Sequence, residues 1–126
     1  MAQTVLLFRL GNKKYKAVQQ TCKALGIRIV DVARSDYLQK LGALAKIQGF
    51  AKEAKKYDGP ELPMEMLVFS EMNSDQVDAF LAEYKNTGAE PVALKAVITS
   101  NNIFWSADVL QRELLREHLA MTKKKL

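Results

Sequence analysis

An apolar strand, a helix with one apolar face, a glycine stop and a second strand occur in that order twice. This repetition limits what the chain can fold into. Val5-Leu6-Leu7-Phe8 reads as a buried strand within residues 4–10. Asn12 follows as a helix cap, because its side chain accepts from the free amides of a first turn. Tyr15, Val18, Cys22 and Leu25 recur at spacings of three and four, which puts them on one helical face. Gly26 then stops the helix, since glycine takes the left-handed conformation cheaply. Ile27, Ile29, Val30 and Val32 form the next strand.

The second copy has Met66-Leu67-Val68-Phe69 as its strand and Asn73 as its cap. Gln76, three residues on, completes a capping-box pattern. Val77, Phe80, Leu81 and Tyr84 form the helical face, Gly88 is the stop, and Pro91 to Ile98 is the closing strand. The halves align at an offset of 61 in the strand, Leu6 with Leu67, Phe8 with Phe69 and Asn12 with Asn73, and at 62 in the helix, Gly26 with Gly88. The identity is thin, so the reading is structural repetition.

Two helical segments fall outside the repeat. Ser35-Asp36 opens one that carries Tyr37, Leu38, Leu41, Leu44 and Ile47, with Gly49 as a break before Phe50, Ala54 and Tyr57. Asp58 to Pro63, with two prolines and a glycine, is a loop. The other is C-terminal, lined by Leu110, Leu114, Leu115 and Leu119 and ending in Lys123-Lys124-Lys125, a charge that suits a helix C-terminus. The predicted organisation is a single domain over 1–126. It comprises a first βαβ unit at 4–34, a helical insertion and loop at 35–63, a second unit at 64–99, a C-terminal helix at 100–122 and a basic tail at 123–126.

Two βαβ units commonly combine as the ferredoxin-like split βαβ, an α+β fold with a four-stranded, mainly antiparallel sheet. The alternative is a doubly wound parallel α/β sheet. Fully buried parallel strands should be apolar on both faces. Arg9, Asp31, Glu65 and Lys95 lie within the strand patterns and favour the antiparallel sheet.

Composition narrows the function classes. Cys22 is the only cysteine, which excludes an intramolecular disulfide and a four-cysteine zinc site. No run of about 18 apolar residues exists to span a membrane. No basic leader precedes an apolar stretch, so the expected setting is cytoplasmic. The net charge of +5 is unevenly spread. Residues 1–57 hold 12 Lys/Arg against 3 Asp/Glu, and residues 58–126 hold 7 against 11, which is +9 and −4. A basic half attracts nucleic acid or another anion, or pairs with the acidic half of a second copy.

Few constellations carry chemistry. His118 is the only histidine, so a two-histidine metal site within one chain is excluded and no metal or cofactor is expected. Cys22, on an apolar helical face, reads as a small hydrophobe. Lys95 lies mid-strand between apolar neighbours and has to reach solvent, an acidic partner or an anionic ligand. Asn12, Lys13 and Lys14 open a helix and form a candidate anion site. Phe8 and Phe69 look like core rather than an RNA-stacking surface. In Thr99-Ser100-Asn101-Asn102, Asn102 or Thr99 caps the final helix, and Trp105 packs it onto the sheet, its indole N–H needing a partner.

The stretch from Leu94 to Thr99, then Asn102 and Trp105, then Leu110, Glu113, Leu114, Glu117 and His118, resembles a bacterial family of small proteins classed as a domain of unknown function. The resemblance runs from Met66 to His118. It implies no activity, and directs attention to Lys95, Thr99, Asn102, Trp105 and His118 as candidate ligand-binding positions. The functional expectation is a non-enzymatic binding or regulatory module that self-associates as a homo-oligomer. The alternative is anion or nucleic-acid binding through the basic N-terminal half. An enzyme using Lys95, Asn102 and His118 ranks last.

Overall fold

Two five-residue strands form the centre of the molecule, and every residue in them is buried. They are β1 (Thr4–Phe8) and β3 (Met66–Ser70). The computed structural model describes residues 2–125, and their side chains as far as residue 120. The other elements are α1 (Asn12–Leu25), β2 (Arg28–Asp31), α2 (Leu41–Leu44), α3 (Ser74–Asn86), β4 (Leu94–Val97) and α4 (Ala107–Lys125). The side chains of the Lys123–Lys125 tail lie outside the described residues.

The sheet order is β2-β1-β3-β4. β1 pairs with β2 in parallel and β3 with β4 in parallel, while β1 and β3 run antiparallel with Leu6 opposite Val68. The sheet is therefore mixed, with two of its three pairings parallel, and not mainly antiparallel as the ferredoxin-like expectation had it. Each βαβ unit closes on itself, and no strand of the other unit lies between its two strands. The fully parallel alternative fails at the β1–β3 pair.

The charged residues that favoured the antiparallel sheet lie at strand ends and edges. Arg9 follows β1 with φ 62°, Asp31 ends β2, Glu65 precedes β3, and Lys95 sits on the edge strand β4. The two central strands are thus free to be buried on both faces.

On one face lie Val5, Leu7, Leu67 and Phe69 under α1 and α3, with Val18, Cys22, Phe80 and Tyr84. On the other lie Leu6, Phe8, Met66 and Val68 under the 35–63 segment and α4, with Tyr37, Leu41, Leu62 and Leu110. The two units repeat at an offset of 62 from the first strand to the glycine stop, and at 66 in the closing strand. Thr4 corresponds to Met66, Arg9 to Glu71, Asn12 to Ser74 and Gly26 to Gly88. The strand offset of 61 is corrected, because it pairs Leu6 with Leu67 and Phe8 with Phe69, which face opposite sides of the sheet. A slip of one residue exchanges the faces of a strand. The pseudo-two-fold relation passes through the Leu6–Val68 pair.

Asn73 caps α3 as expected, accepting from the Gln76 amide at 2.9 Å while the Gln76 side chain accepts from the Asn73 amide at 2.8 Å. Asn12 does not cap α1. Gly11 takes that position, and Asn12 is the first helical residue.

The 35–63 segment is largely irregular where helix was expected. It holds a 3-10 turn at Arg34–Asp36 and the single turn of α2. Long-range polar contacts replace helical ones. The buried Tyr37 hydroxyl donates to Glu61 at 2.5 Å, and the Gln39 side-chain amide donates to the carbonyls of Glu53 and Lys55. The Phe50 ring lies so close over Gly42 that a Cβ there would sit 2.7 Å from it.

Gly42→Ala tests which effect governs α2. Helix propensity alone would stabilise by up to about 1 kcal/mol. Displacing the Phe50 ring costs about 1–3 kcal/mol. The expected result is a lower urea midpoint, and a raised midpoint would show that the ring is not held over Gly42.

Candidate functional site

The Thr99–Trp105 stretch leaves the carboxyl end of β4 and folds into a clasp. Thr99 Oγ1 accepts from the amides of Asn101 and Asn102 at 3.3 and 3.1 Å. Asn102 Oδ1 accepts from the Thr99 amide at 2.8 Å, and its Nδ2 donates to the Val97 carbonyl at 3.0 Å. Both ends of the Asn102 side chain are occupied in holding the turn, and the residue is buried. Thr99 and Asn102 thus organise the 3-10 turn Asn102–Phe104. The final helix begins later, with the Ser106 carbonyl accepting from the Leu110 amide at 3.1 Å. Trp105 does not pack as an anchor. It is 37 % exposed, and among the described residues its indole N–H has no hydrogen bond.

A cleft of about 270 Å³ lies at the carboxyl ends of β3 and β4, bounded by Ile47, Ser70, Glu71, Ile98, Thr99 and Ile103. The ends of parallel strands are the usual place for ligands in α/β sheets. Ser70 Oγ is buried and has no partner among the described residues. Opposite Ser70 on β1 is Thr4, whose Oγ1 accepts from Arg28 Nε at 3.3 Å. The Arg28 guanidinium also donates to the Ala45 carbonyl at 3.1 Å. Nothing in the sequence marked Ser70, because it ends an apolar strand and belongs to no motif.

Lys95 belongs to a different place. It lines the cavity between α3 and β4, of about 500 Å³, together with Leu67, Phe80, Leu81, Tyr84 and Lys85. Its ammonium donates to the Val92 carbonyl at 2.8 Å. The Tyr84 hydroxyl donates to the Glu90 carbonyl at 2.7 Å. Burial first, then the charges of Glu65 and Glu90, hold the Tyr84 phenol above its ordinary value, so it is a neutral donor.

His118 is exposed on α4, eleven residues after the first residue of that helix. At 1.5 Å per residue this is about 16 Å from the Trp105 end. Helix α4 covers the face carrying Leu6 and Val68, whereas the Lys95 cavity lies on the α3 face. Lys95, Asn102 and His118 are therefore not brought together. Nor do Asn12, Lys13 and Lys14 form one anion site. The Lys14 ammonium bonds Glu65 at 2.5 Å and the Pro91 carbonyl at 3.1 Å, joining α1 to the second unit. Lys13 and Asn12 are exposed.

Residues 65–121 match the model of a family described as Domain of unknown function (DUF3783). The C-terminal part of the chain, from the start of β3 into α4, is thus similar to that family. No curated protein and no solved structure matches the chain.

Two outcomes follow from the buried polar groups. An unpartnered buried hydroxyl costs about 1–3 kcal/mol, so Ser70→Ala should leave the urea midpoint unchanged or raise it. A fall equivalent to more than about 1 kcal/mol would mean that the hydroxyl is bonded in solution.

Burial pushes the Cys22 thiol from 9.0 up to about 12, which deprives it of the thiolate a nucleophile needs. The folded value is raised, so the associated stability is fully present below pH 9.0 and is lost as pH rises toward about 12. Between pH 9 and 10, below the ordinary value of tyrosine, the unfolding midpoint of Cys22→Ala should fall less steeply than that of the native chain. Equal slopes would show that the thiol is not shielded.

Proposed function

We propose that the chain is a binding module for a small amphipathic anion, held in the cavity between α3 and β4. The observation that carries this reading is an apolar cavity with lysines and no carboxylate in its lining, among the described residues. Its volume of about 500 Å³ falls in the range of small-molecule sites. Leu81, Ala89 and Pro91 supply open surface for an apolar body, above the buried Phe80 and Leu67. Lys95 uses one ammonium proton on the Val92 carbonyl, which leaves two for an anionic head. Lys85 adds a second positive charge to the lining. An anion bound there would answer the need of a mid-strand lysine for solvent, an acidic partner or an anionic ligand.

The probe is 8-anilinonaphthalene-1-sulfonate, an aromatic body with one sulfonate. Its fluorescence should rise and saturate near one equivalent, and decanoate should displace it more effectively than decanol. Lys95 is exposed at its tip, so its charge is worth about 1 kcal/mol at most, and Lys95→Met should weaken binding up to about fivefold. Leu81→Arg should abolish it by filling the cavity. Unsaturable fluorescence, or binding unchanged in Leu81→Arg, would overturn the reading.

A further inference from the structure

Two aromatic rings meet on the other side of the sheet, at the junction of the 35–63 segment with the Asn102–Phe104 turn. The rings of Phe50 and Phe104 are 5.4 Å apart and inclined at 50°. Phe104 is 60 % exposed, and Trp105 follows it directly. Their backbone is fixed. The Trp105 amide donates to the Asn102 carbonyl at 2.9 Å, its carbonyl accepts from the Leu41 amide at 2.8 Å, and Lys40 and Ser106 form an isolated bridge. Rings held on a hydrogen-bonded scaffold yet left open to water offer flat apolar surface at little further cost in ordering.

The charge beside these rings is mainly positive, with Glu71 the acidic residue in the adjoining cleft wall. From Lys40 to Lys56 there are five lysines and one acidic residue, Glu53. Lys52 pairs with Asp36 and Lys55 with Glu53. Lys40, Lys46 and Lys56 are exposed and enter no ion pair among the described residues. Lys40 is fixed beside Trp105 by the Lys40–Ser106 bridge, and Lys46 directly precedes Ile47 in the cleft wall that also holds Ile103.

Exposed rings next to unpaired cations suit a ligand that carries flat apolar groups and negative charge along one chain. We propose that this surface binds single-stranded nucleic acid, with bases stacking on Phe104 and Trp105 and phosphates meeting Lys40 and Lys46. Base stacking on aromatic side chains tolerates any sequence, and a positive surface follows the backbone. A duplex hides the faces of its bases and lacks the first of these contacts. This inference is independent of the α3–β4 cavity, which lies on the opposite face.

Trp105 is the only tryptophan, so its emission reports on the surface directly. A mixed-sequence single-stranded oligonucleotide of 12 nucleotides, added at about 50 mM salt, should quench that emission to saturation. With two or three phosphates engaged, raising salt to about 200 mM should weaken binding about tenfold. Phe104→Ala, at an exposed position, should weaken it at least about fivefold. Lys40→Gln with Lys46→Gln should lower the salt dependence. An abasic oligonucleotide or polyglutamate should bind more weakly and quench less.

Absence of quenching would overturn the proposal. Equal binding by the abasic strand, by polyglutamate or by duplex would overturn it as well, because each lacks accessible bases. A Trp105 emission change driven by protein concentration alone, with a rise in mass, would assign the rings to a second copy and overturn it too.

Discussion

Burial of β1 and β3 on both faces is the constraint from which the rest of the molecule follows. Eight of their ten residues are apolar, and the two polar ones, Thr4 and Ser70, sit opposite each other at one end of the pair. Fully burying a large apolar side chain contributes about 1.5–3 kcal/mol, so neither face can be left to water. The βαβ connections supply cover for one face, with α1 and α3 side by side. The other face has no such connection, so it needs the irregular 35–63 segment and α4. Charged residues are displaced to strand ends and to the edge strands β2 and β4. Thr4 has partners at its hydroxyl in the Ala2 carbonyl and Arg28, whereas Ser70 has none among the described residues, so the two members of this polar pair are not equivalent.

The two faces are covered by different means, and the two candidate surfaces reflect that difference. On the helical face, α1 is tied to the second unit by Lys14, which bonds Glu65 and the Pro91 carbonyl. Glu65 in turn accepts from the Ala93 amide at 3.3 Å, so it fixes the approach to β4. Beyond that tie the cover over the edge strand thins, and the Lys95 cavity opens there. On the irregular face the cover is held by particular contacts such as Tyr37 with Glu61 and Phe50 over Gly42. Such a cover is not required to close over its own last rings, and Phe104 is left outside.

The local signals in the sequence were sound where the structure is local. The capping box of Asn73 and Gln76, the left-handed Gly26 and the two inner strands all depend on residues within a few positions of one another. What the sequence did not convey was decided at long range. Arg9, Asp31, Glu65 and Lys95 looked like interruptions of the strands, because their position relative to strand ends and sheet edges depends on pairing. The strand offset of 61 followed the better residue identities, whereas 62 follows the faces. Leu41, Leu44 and Ile47 have helical spacing, yet the segment is irregular, because Tyr37 and Gln39 find partners 14 to 24 residues away. Thr99, Asn102 and Trp105 were singled out together. Two of them hold a turn, and Trp105 differs from the packing role its composition suggested because Ala107 and Leu110 already fill the core beneath α4.

The family match begins at residue 65 and ends at residue 121, so it takes in β3, α3, β4 and most of α4. That portion contains a parallel pair with helices of both faces, and it leaves one side of β3 without a strand. In this chain β1 fills that side along all five residues of β3, in an antiparallel register centred on Leu6 and Val68. A strand with every residue buried exposes a full row of backbone donors and acceptors when its neighbour is removed. The matched portion therefore depends on a strand from outside itself, and the pseudo-two-fold relation explains how a second βαβ unit can supply it. The first unit acts as a partner joined to the second by the chain. Its departures from symmetry, the irregular 35–63 segment above all, lie where the pairing of β1 with β3 imposes nothing.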